Sequence, residues 1–496
     1  MSARYILAVD QGTSGTKAIV FDNDGKLFCK ATEPLKTYYF DNGFVEQEPE
    51  DIYQNVLCAV KKCIAAFIAN GGNIAEIEAC GISNQRETFV VWDESGQPLH
   101  NAVVWQCKRS VDICTRLKNE GVEPALQERT GLIIDPYFSG TKLVWLYENI
   151  DKIRVAVDKG NAYFGTVDTW LLYKLTKGES YFTDYTNASR TLLFNIRELT
   201  WDEEMLRLFH LSNIQLPAPK PSSYLFGCSV FEGVFDKPLA ITAMAGDSHA
   251  AAFGEGCFTA GMAKATLGTG CSVLMNIGGI ATPPAKGMVT TICWSTEDRV
   301  DYALEGVIVS CGSTIEWLKN ELGLFTDSKE TEAMANAVAD NNGVYLVPAF
   351  SGLGAPYWDM KRKASITGLT FSANKNHIVR AALESIAYQI KDVIDAMSDG
   401  CGINVKELMV NGGITSNQFV LKFLAGVSGL PVTCGYMHDI SALGAAYLAG
   451  LKADIYANLK QLVSLGDNRK QVTHNANKEQ FNRYHAEWKT IINTKS

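Results

Sequence analysis

The chain has 496 residues, which at roughly 150 per domain suggests about three domains, commonly realised as two large ones, each long enough for a substantial core. Its 47% hydrophobic and 20% charged residues are ordinary globular composition, and 45 Lys and Arg against 54 Asp and Glu leave a net charge of −9. That balance argues against a protein whose main work is gripping nucleic acid or an anionic membrane, because both demand a basic face; it leaves room for one small phosphorylated ligand.

Met1 to Asp10 holds one basic residue and too short an apolar run for a signal peptide, and no stretch reaches about 18 uninterrupted apolar residues. A cytoplasmic chain without membrane insertion is therefore expected. The 13 cysteines are odd in number and form no Cys-x-x-Cys pair, so a disulfide scaffold or zinc finger is a poor reading; Cys80 and Cys271 read as small buried hydrophobes.

In chain order, Tyr5 to Val9 is an apolar strand ending at Asp10, followed by the flexible Gln11 to Thr16 and a second strand, Lys17 to Phe21. Asp22 to Gly25 signals a tight turn into Lys26 to Cys29, so three antiparallel strands open the protein. Ile52, Val56, Ala59, Val60, Ile64 and Phe67 recur at helical spacing between Pro49 and Ala69, predicting a helix packed on that sheet. Ile77 to Ile82 and Phe89 to Asp93 read as strands flanking a polar turn at Ser83 to Thr88.

The Pro217 to Pro221 stretch reads as a connector. Beyond it the opening grammar returns: strand Met262 to Leu267, turn Gly268-Thr269-Gly270, strand Cys271 to Met275. This echo suggests a duplicated α/β domain with a cleft between the copies, divided near Phe253-Gly254 into 1–253 and 254–496. At the end, Phe481, Tyr484, Trp488 and Ile491 fall at helical spacing, which reads as a surface helix.

A Gly/Thr/Ser turn between strands can aim backbone N–H groups and hydroxyls at phosphate oxygens, and Asp10 at its mouth could hold Mg²⁺ directly or through water. The first turn alone is equally well an ordinary hairpin and Gly268-Thr269-Gly270 alone is the weaker signal; one in each half could clamp a nucleotide from two sides. Leu408 to Gly413, a strand running into paired glycines, is a third candidate. The P-loop, the dinucleotide fingerprint, and the His-Arg-Asp and Asp-Phe-Gly triplets are all missing, so any ATP would be held by an actin-like pair of turns.

Arg86-Glu87 lies at a sheet end, where the pair could grip vicinal hydroxyls or form only a surface ion pair. Asp247, between a small-residue strand and a small-residue helix, is either an ordinary helix cap or the base that takes a hydroxyl proton during phosphoryl transfer. Tyr137, Trp105 and Trp145 are by default core aromatics, and His249 a packed histidine.

As a set these motifs resemble the FGGY carbohydrate kinase family, most closely its glycerol-phosphorylating branch. The resemblance rests on Asp10-Gln11-Gly12-Thr13, Asn84 to Thr88, Val104 to Cys107, Ile134 to Lys142, Phe164 to Trp170, Asp184 to Arg190, Gly352 to Asp359 and Ala442 to Leu448. The two wider family signatures fall at Tyr137 to Asn149 and Ala364 to Glu384, and the likeness runs from about Tyr5 to Trp488.

That resemblance implies two ribonuclease H-like or actin-like domains, the first with most of the acceptor site and the second with most of the nucleotide site. It implies transfer of phosphoryl from ATP to a terminal hydroxyl of glycerol, giving glycerol 3-phosphate and ADP. Carried over, Thr13, Ser14, Gly15 and Lys17 approach the phosphates and Asp10 serves the metal. Thr269, Gly312, Glu316, Gly413 and Asn417 become nucleotide contacts. Arg86, Glu87, Tyr137 and Asp247 become the acceptor group, with Asp247 the catalytic base and Trp105 a pocket wall.

Departures stand beside the matches: Ser248 replaces a usual Gln and Ser272 a usual Phe, leaving a roomier, more polar pocket. Asn411 and Glu316 replace an Asp and a Gln near the adenosine, which is expected to alter nucleotide affinity. Neither a fructose-bisphosphate loop in Phe231 to Lys237 nor a phosphorylatable histidine in Pro221 to Lys237 is evident. A larger polyol or ketose (erythritol, threitol, a pentitol, xylulose or ribulose) is the rival acceptor, and a non-catalytic actin-like ATP-binding protein the rival from another class. A homodimer or homotetramer stays open.

Overall fold

The computed structural model describes residues 4–284, 287–435, 437–466, 469–473 and 478–494. Tyr5–Gly12 and Gly15–Asp22 pair antiparallel, Gly15–Asp22 pairs with Leu27–Pro34, and Ile77–Asn84 joins parallel to Tyr5–Gly12. Leu239–Gly246 extends the sheet parallel to Ile77–Asn84, and Ser223–Ser229 closes the six-stranded edge. The second half repeats this order. Met262–Leu267, Cys271–Gly278 and Arg299–Ile308 form the meander, Glu407–Asn411 and Val432–Cys434 add in parallel, and Val289–Thr296 and Lys470–Val472 complete seven strands. The duplicated actin-like α/β architecture expected from the echo is the one observed.

Pro49–Ala69 forms the expected helix, with Pro49 at its first turn and Glu50 and Asp51 favourably placed near the positive end of its dipole. By length and hydropathy it could cross a bilayer, yet its buried stripe, Ile52 through Phe67, packs on the first sheet. All 13 cysteines are free, and Cys80 and Cys271 are buried.

The expected surface helix at the end is corrected. Lys478–Asn493 docks through Phe481, Tyr484, Trp488 and Ile492 into the second core, and the Trp488 indole donates to Asp392 Oδ2 (2.7 Å). Ile491 is only partly buried. Helical spacing located the face; its burial depended on core residues far upstream, with Asp392 satisfying the indole N–H.

Between the sheets lies a shared core that includes Ile6, Phe21, Trp294, Met409 and Leu448. Its spine is two crossing helices, Asp247–Gly254 and Ile440–Lys452; the latter, from the second half of the chain, lies on the first sheet. The crossing is close because glycines face backbone there. A Cβ on Gly444 would lie 1.8 Å from Ala250 O, and one on Gly254 2.6 Å from Ile440 O. Gly444→Ala is expected to cost ~1–3 kcal/mol through this overpacking, read as a lower thermal midpoint. Gly279→Ala, whose Cβ would meet only Val300 O at 3.7 Å, is the control expected to leave the midpoint in place.

Candidate functional site

The hairpin register explains both turns. Gly12 pairs with Gly15, leaving Thr13-Ser14 as the tip, and Leu267 pairs with Cys271, leaving Gly268-Thr269-Gly270. A side chain on Gly15 would drive its Cβ to 2.3 Å from Glu33 O, so the tip needs glycine there.

The second tip opens on a cavity of about 710 Å³ whose lining includes Thr269, Gly312, Glu316, Gly413 and Asn417, all five of the nucleotide contacts expected in that half. Backbone bonds hold it: Gly312 N–H to Gly268 O (2.9 Å) and Ser313 N–H to Thr269 O (3.1 Å). Gly412, at φ +102°, brings its backbone against Leu267. Thr13, Ser14, Gly15 and Lys17 lie outside that lining.

Asp10 and Lys17 face each other across the first hairpin. Ser83 Oγ donates to Asp10 Oδ1 (2.5 Å), while Lys17 Nζ stands 3.8 Å from Asp10 Oδ2 and 2.9 Å from Asp439 Oδ1. Burial raises the Asp10 pKa against the pull of Ser83 and Lys17. Lys30 Nζ also binds Asp439, at 2.9 Å, so the carboxylate before the Ile440–Lys452 helix ties down the first hairpin.

From Thr13 a chain of contacts leads into the expected acceptor group. The Trp105 indole N–H donates to Thr13 Oγ1 (2.9 Å), and Trp105 packs edge-on against Tyr137 with ring centroids 5.4 Å apart. Arg86 Nη2 donates to Tyr137 Oη (3.3 Å). Lys142, wholly buried, donates to the carbonyls of Pro136 (2.9 Å) and Tyr137 (2.7 Å) and so braces this wall; burial lowers its pKa to about 8. Trp105 and Tyr137 are thus half-buried cleft residues and not core aromatics.

Arg86 and Glu87 sit in the turn after Ile77–Asn84 and are buried, not a surface ion pair. Glu87 has φ +57°, a conformation costing a non-glycine residue on the order of 1 kcal/mol, and its carboxylate accepts from Arg190 Nε at 2.6 Å. Arg86 Nη2 donates to Glu305 Oε1 (2.9 Å), and Arg190 Nη1 lies 2.7 Å from Glu305 Oε2. Two arginines and two glutamates alternate in one buried lattice spanning both halves of the chain. Burial alone would raise the Glu305 pKa; Arg190 and Arg86 overcome it and hold the carboxyl well below its ordinary range.

Asp247 is the first residue of the Asp247–Gly254 helix, after Gly246 at the cap position. Its side chain is 41% exposed to the cleft and lies 3.5 Å from Arg86 Nε, and the Ser248 N–H donates to its Oδ1 (2.6 Å). The desolvating surroundings raise its pKa, with Arg86 opposing. Ser248 and Ser272 meet beside it, Oγ to Oγ 3.4 Å. His249 is fully buried, with neither ring nitrogen hydrogen-bonded among the described residues; burial, reinforced by Arg86, keeps it neutral.

Sequence reasoning missed Glu305, Lys264 and Asp439 and gave Arg190 no role of its own. The available signal was a charged residue inside an apolar strand: Glu305 within Arg299–Ile308 and Lys264 within Met262–Leu267. Replacing Glu305 by Gln leaves Arg86 and Arg190 short of a counter-charge. The expected loss is ~3–5 kcal/mol of stability, read as a lowered unfolding midpoint, together with a raised acceptor KM.

Family models for the N-terminal and C-terminal domains of the FGGY family of carbohydrate kinases match residues 5–254 and 263–453. A glycerol kinase of Thermoanaerobacter sp. (strain X514) is 46% identical over 93% of this chain and 92% of its own length. A glycerol kinase of Halothermothrix orenii is 43% identical over 99% of this chain and 98% of its own. The crystal structure of Plasmodium falciparum glycerol kinase with ADP superposes with a TM-score of 0.94 at 33% identity, covering 99% of this chain and 98% of that one. With both lobes matched in sequence and in shape, the chain belongs to the FGGY family of carbohydrate kinases.

Proposed function

We propose that the chain is an ATP-dependent kinase that transfers a phosphoryl group to a terminal hydroxyl of glycerol, giving glycerol 3-phosphate and ADP. The observation carrying this reading is the group made by buried Arg86 and Glu87 with the half-buried Tyr137 and Asp247, joined through Trp105 to the Thr13 tip. The relatives named as glycerol kinases, and the one named with ADP, support the substrate pair. A non-catalytic ATP-binding protein has no use for a hydroxyl-reading pocket, and here that pocket is intact.

On this reading the nucleoside occupies the cavity around Thr269, Gly312 and Glu316, and its phosphates extend toward Thr13, Ser14 and Lys17. Asp10 is a half-buried carboxylate at the mouth of the first tip, while the neighbouring Asp439 is held by Lys17 and Lys30, and no cluster of three or more metal-binding side chains occurs among the described residues. That donor set fits Mg²⁺ held chiefly by phosphate oxygens and water, with Asp10 as the protein's contribution. When bound, the ion neutralises phosphate charge.

Arg86 Nη1, buried and without a hydrogen-bond partner among the described residues, is a donor left over for an acceptor hydroxyl, and Glu87 and Tyr137 complete the grip. Asp247 orients the reacting hydroxyl and takes its proton as the oxygen–phosphorus bond forms and ADP departs. Lys17 and backbone N–H groups of the tips steady the transferring group. Closure of the lobes excludes water as a competing acceptor.

Asp247→Asn is expected to lower kcat about 10²–10⁴-fold while ADP still binds, measured by coupled ADP release and by nucleotide titration; near-normal turnover would remove Asp247 from its role. Because the base must be ionised and its pKa is raised above 3.8, kcat/KM should rise with pH to a plateau, its acidic limb lying above 3.8. An acidic limb at or below 3.8 would contradict the assignment.

A further inference from the structure

The two serines beside Asp247 are wired from behind in opposite senses. Lys264, 1% exposed, donates to Ser248 Oγ (2.6 Å) and Thr266 Oγ1 (2.9 Å), and both of its side-chain partners are hydroxyls. An ammonium has only N–H to give, so Ser248 must accept from it, leaving the Ser248 O–H free to point forward. Ser272 Oγ lies 3.0 Å from Glu305 Oε1, a carboxylate that can only accept, so Ser272 surrenders its hydrogen there and turns lone pairs outward. At 3.4 Å from each other the two hydroxyls satisfy one another poorly, and neither residue is buried.

One donor and one acceptor side by side complement an alcohol, which can accept from Ser248 and donate to Ser272. A carboxylate or carbonyl would turn an acceptor toward Ser272 with nothing to donate, and an apolar group would leave the Ser248 hydrogen and the outward Ser272 lone pairs with only their long mutual contact. The formal charges agree: Arg86, Arg190 and Lys264 balance Glu87, Glu305 and Asp247, so the pocket suits a neutral ligand. On the kinase reading, Asp247 takes the reacting hydroxyl and the Arg86–Glu87 pair the two others, which uses up the three hydroxyls of glycerol. We infer that Ser248 and Ser272 form a subsite for a fourth hydroxyl, so that linear polyols of four or more carbons are phosphorylated by the same site. The inference rests on the kinase reading above.

The test is coupled ADP release by the full chain with ATP and Mg²⁺, comparing glycerol, erythritol, D- and L-threitol, ribitol and D-arabitol. At least one longer polyol is expected to reach a kcat/KM within tenfold of glycerol's or above it. In Ser248→Ala and Ser272→Val the ratio of that polyol's kcat/KM to glycerol's is expected to fall roughly tenfold or more, since a lost hydroxyl contact is felt only by the substrate that uses it. Every longer polyol falling more than tenfold below glycerol, or a ratio unmoved in folded variants, overturns the subsite and leaves the kinase standing. Turnover of longer polyols without glycerol overturns the glycerol assignment and upholds the subsite; ADP release stimulated by no polyol sinks the kinase reading itself. Should a variant fail to fold, the wild-type series decides alone.

Discussion

The alternating lattice of Glu87, Arg190, Glu305 and Arg86 is the constraint on which the site depends. Its side chains are 1–5% exposed or less, and it draws Glu305 from the second sheet against residues of the first half of the chain. Buried ions are costly unless each has its partner, so none of the four can be removed or moved alone. This interdependence holds Glu87 at a left-handed φ and fixes Arg86 between Tyr137, Glu305 and Asp247. Gly246 completes the arrangement, because a Cβ there would lie 2.7 Å from Arg86 Cγ.

Two buried lysines extend the same logic outward with different partners. Lys142 is surrounded by carbonyls and so ties the turn that presents Tyr137 to the loop that presents Trp105. Lys264 is met by hydroxyls and so orients Ser248. In each case an ammonium taken out of water converts flexible acceptors into groups of fixed polarity. A pocket built this way recognises ligands by the direction of their hydrogen bonds as well as by shape.

Much of this was legible in the sequence where the determinants are local. Asp-Gly at residues 24–25, the glycines around Thr13 and Thr269, and the apolar stripe of Pro49–Ala69 each specify their structure within a few residues. The five nucleotide-side residues found together around one cavity were legible only as a resemblance, since no spacing rule brings Gly312 beside Gly413. Glu305 and Asp439 escaped because their meaning lies in partners 219 and 409 residues away, Arg86 and Lys30. The last helix was misread for the same reason: Trp488 stacks on Tyr388 and donates to Asp392, both in another helix, which periodicity cannot report.

Asp439 shows how the remote pairing bears on the proposed chemistry. It precedes a helix that belongs by sequence to the second half and by packing to the first sheet, and it holds both Lys17 and Lys30. Burial would raise its pKa, yet Lys30 and Lys17 bring it below the ordinary value, which favours the carboxylate form between them. Lys17 lies close to both Asp10 and Asp439, so on the proposed reading a triphosphate at the Thr13 tip would meet a cation whose field is partly spent. Phosphate oxygens must then compete with Asp439 for Lys17, while Lys30 stays as the counter-charge that keeps Asp439 from being stranded. The second lysine thus makes Lys17 free to move without breaking the tie between hairpin and interlobe helix.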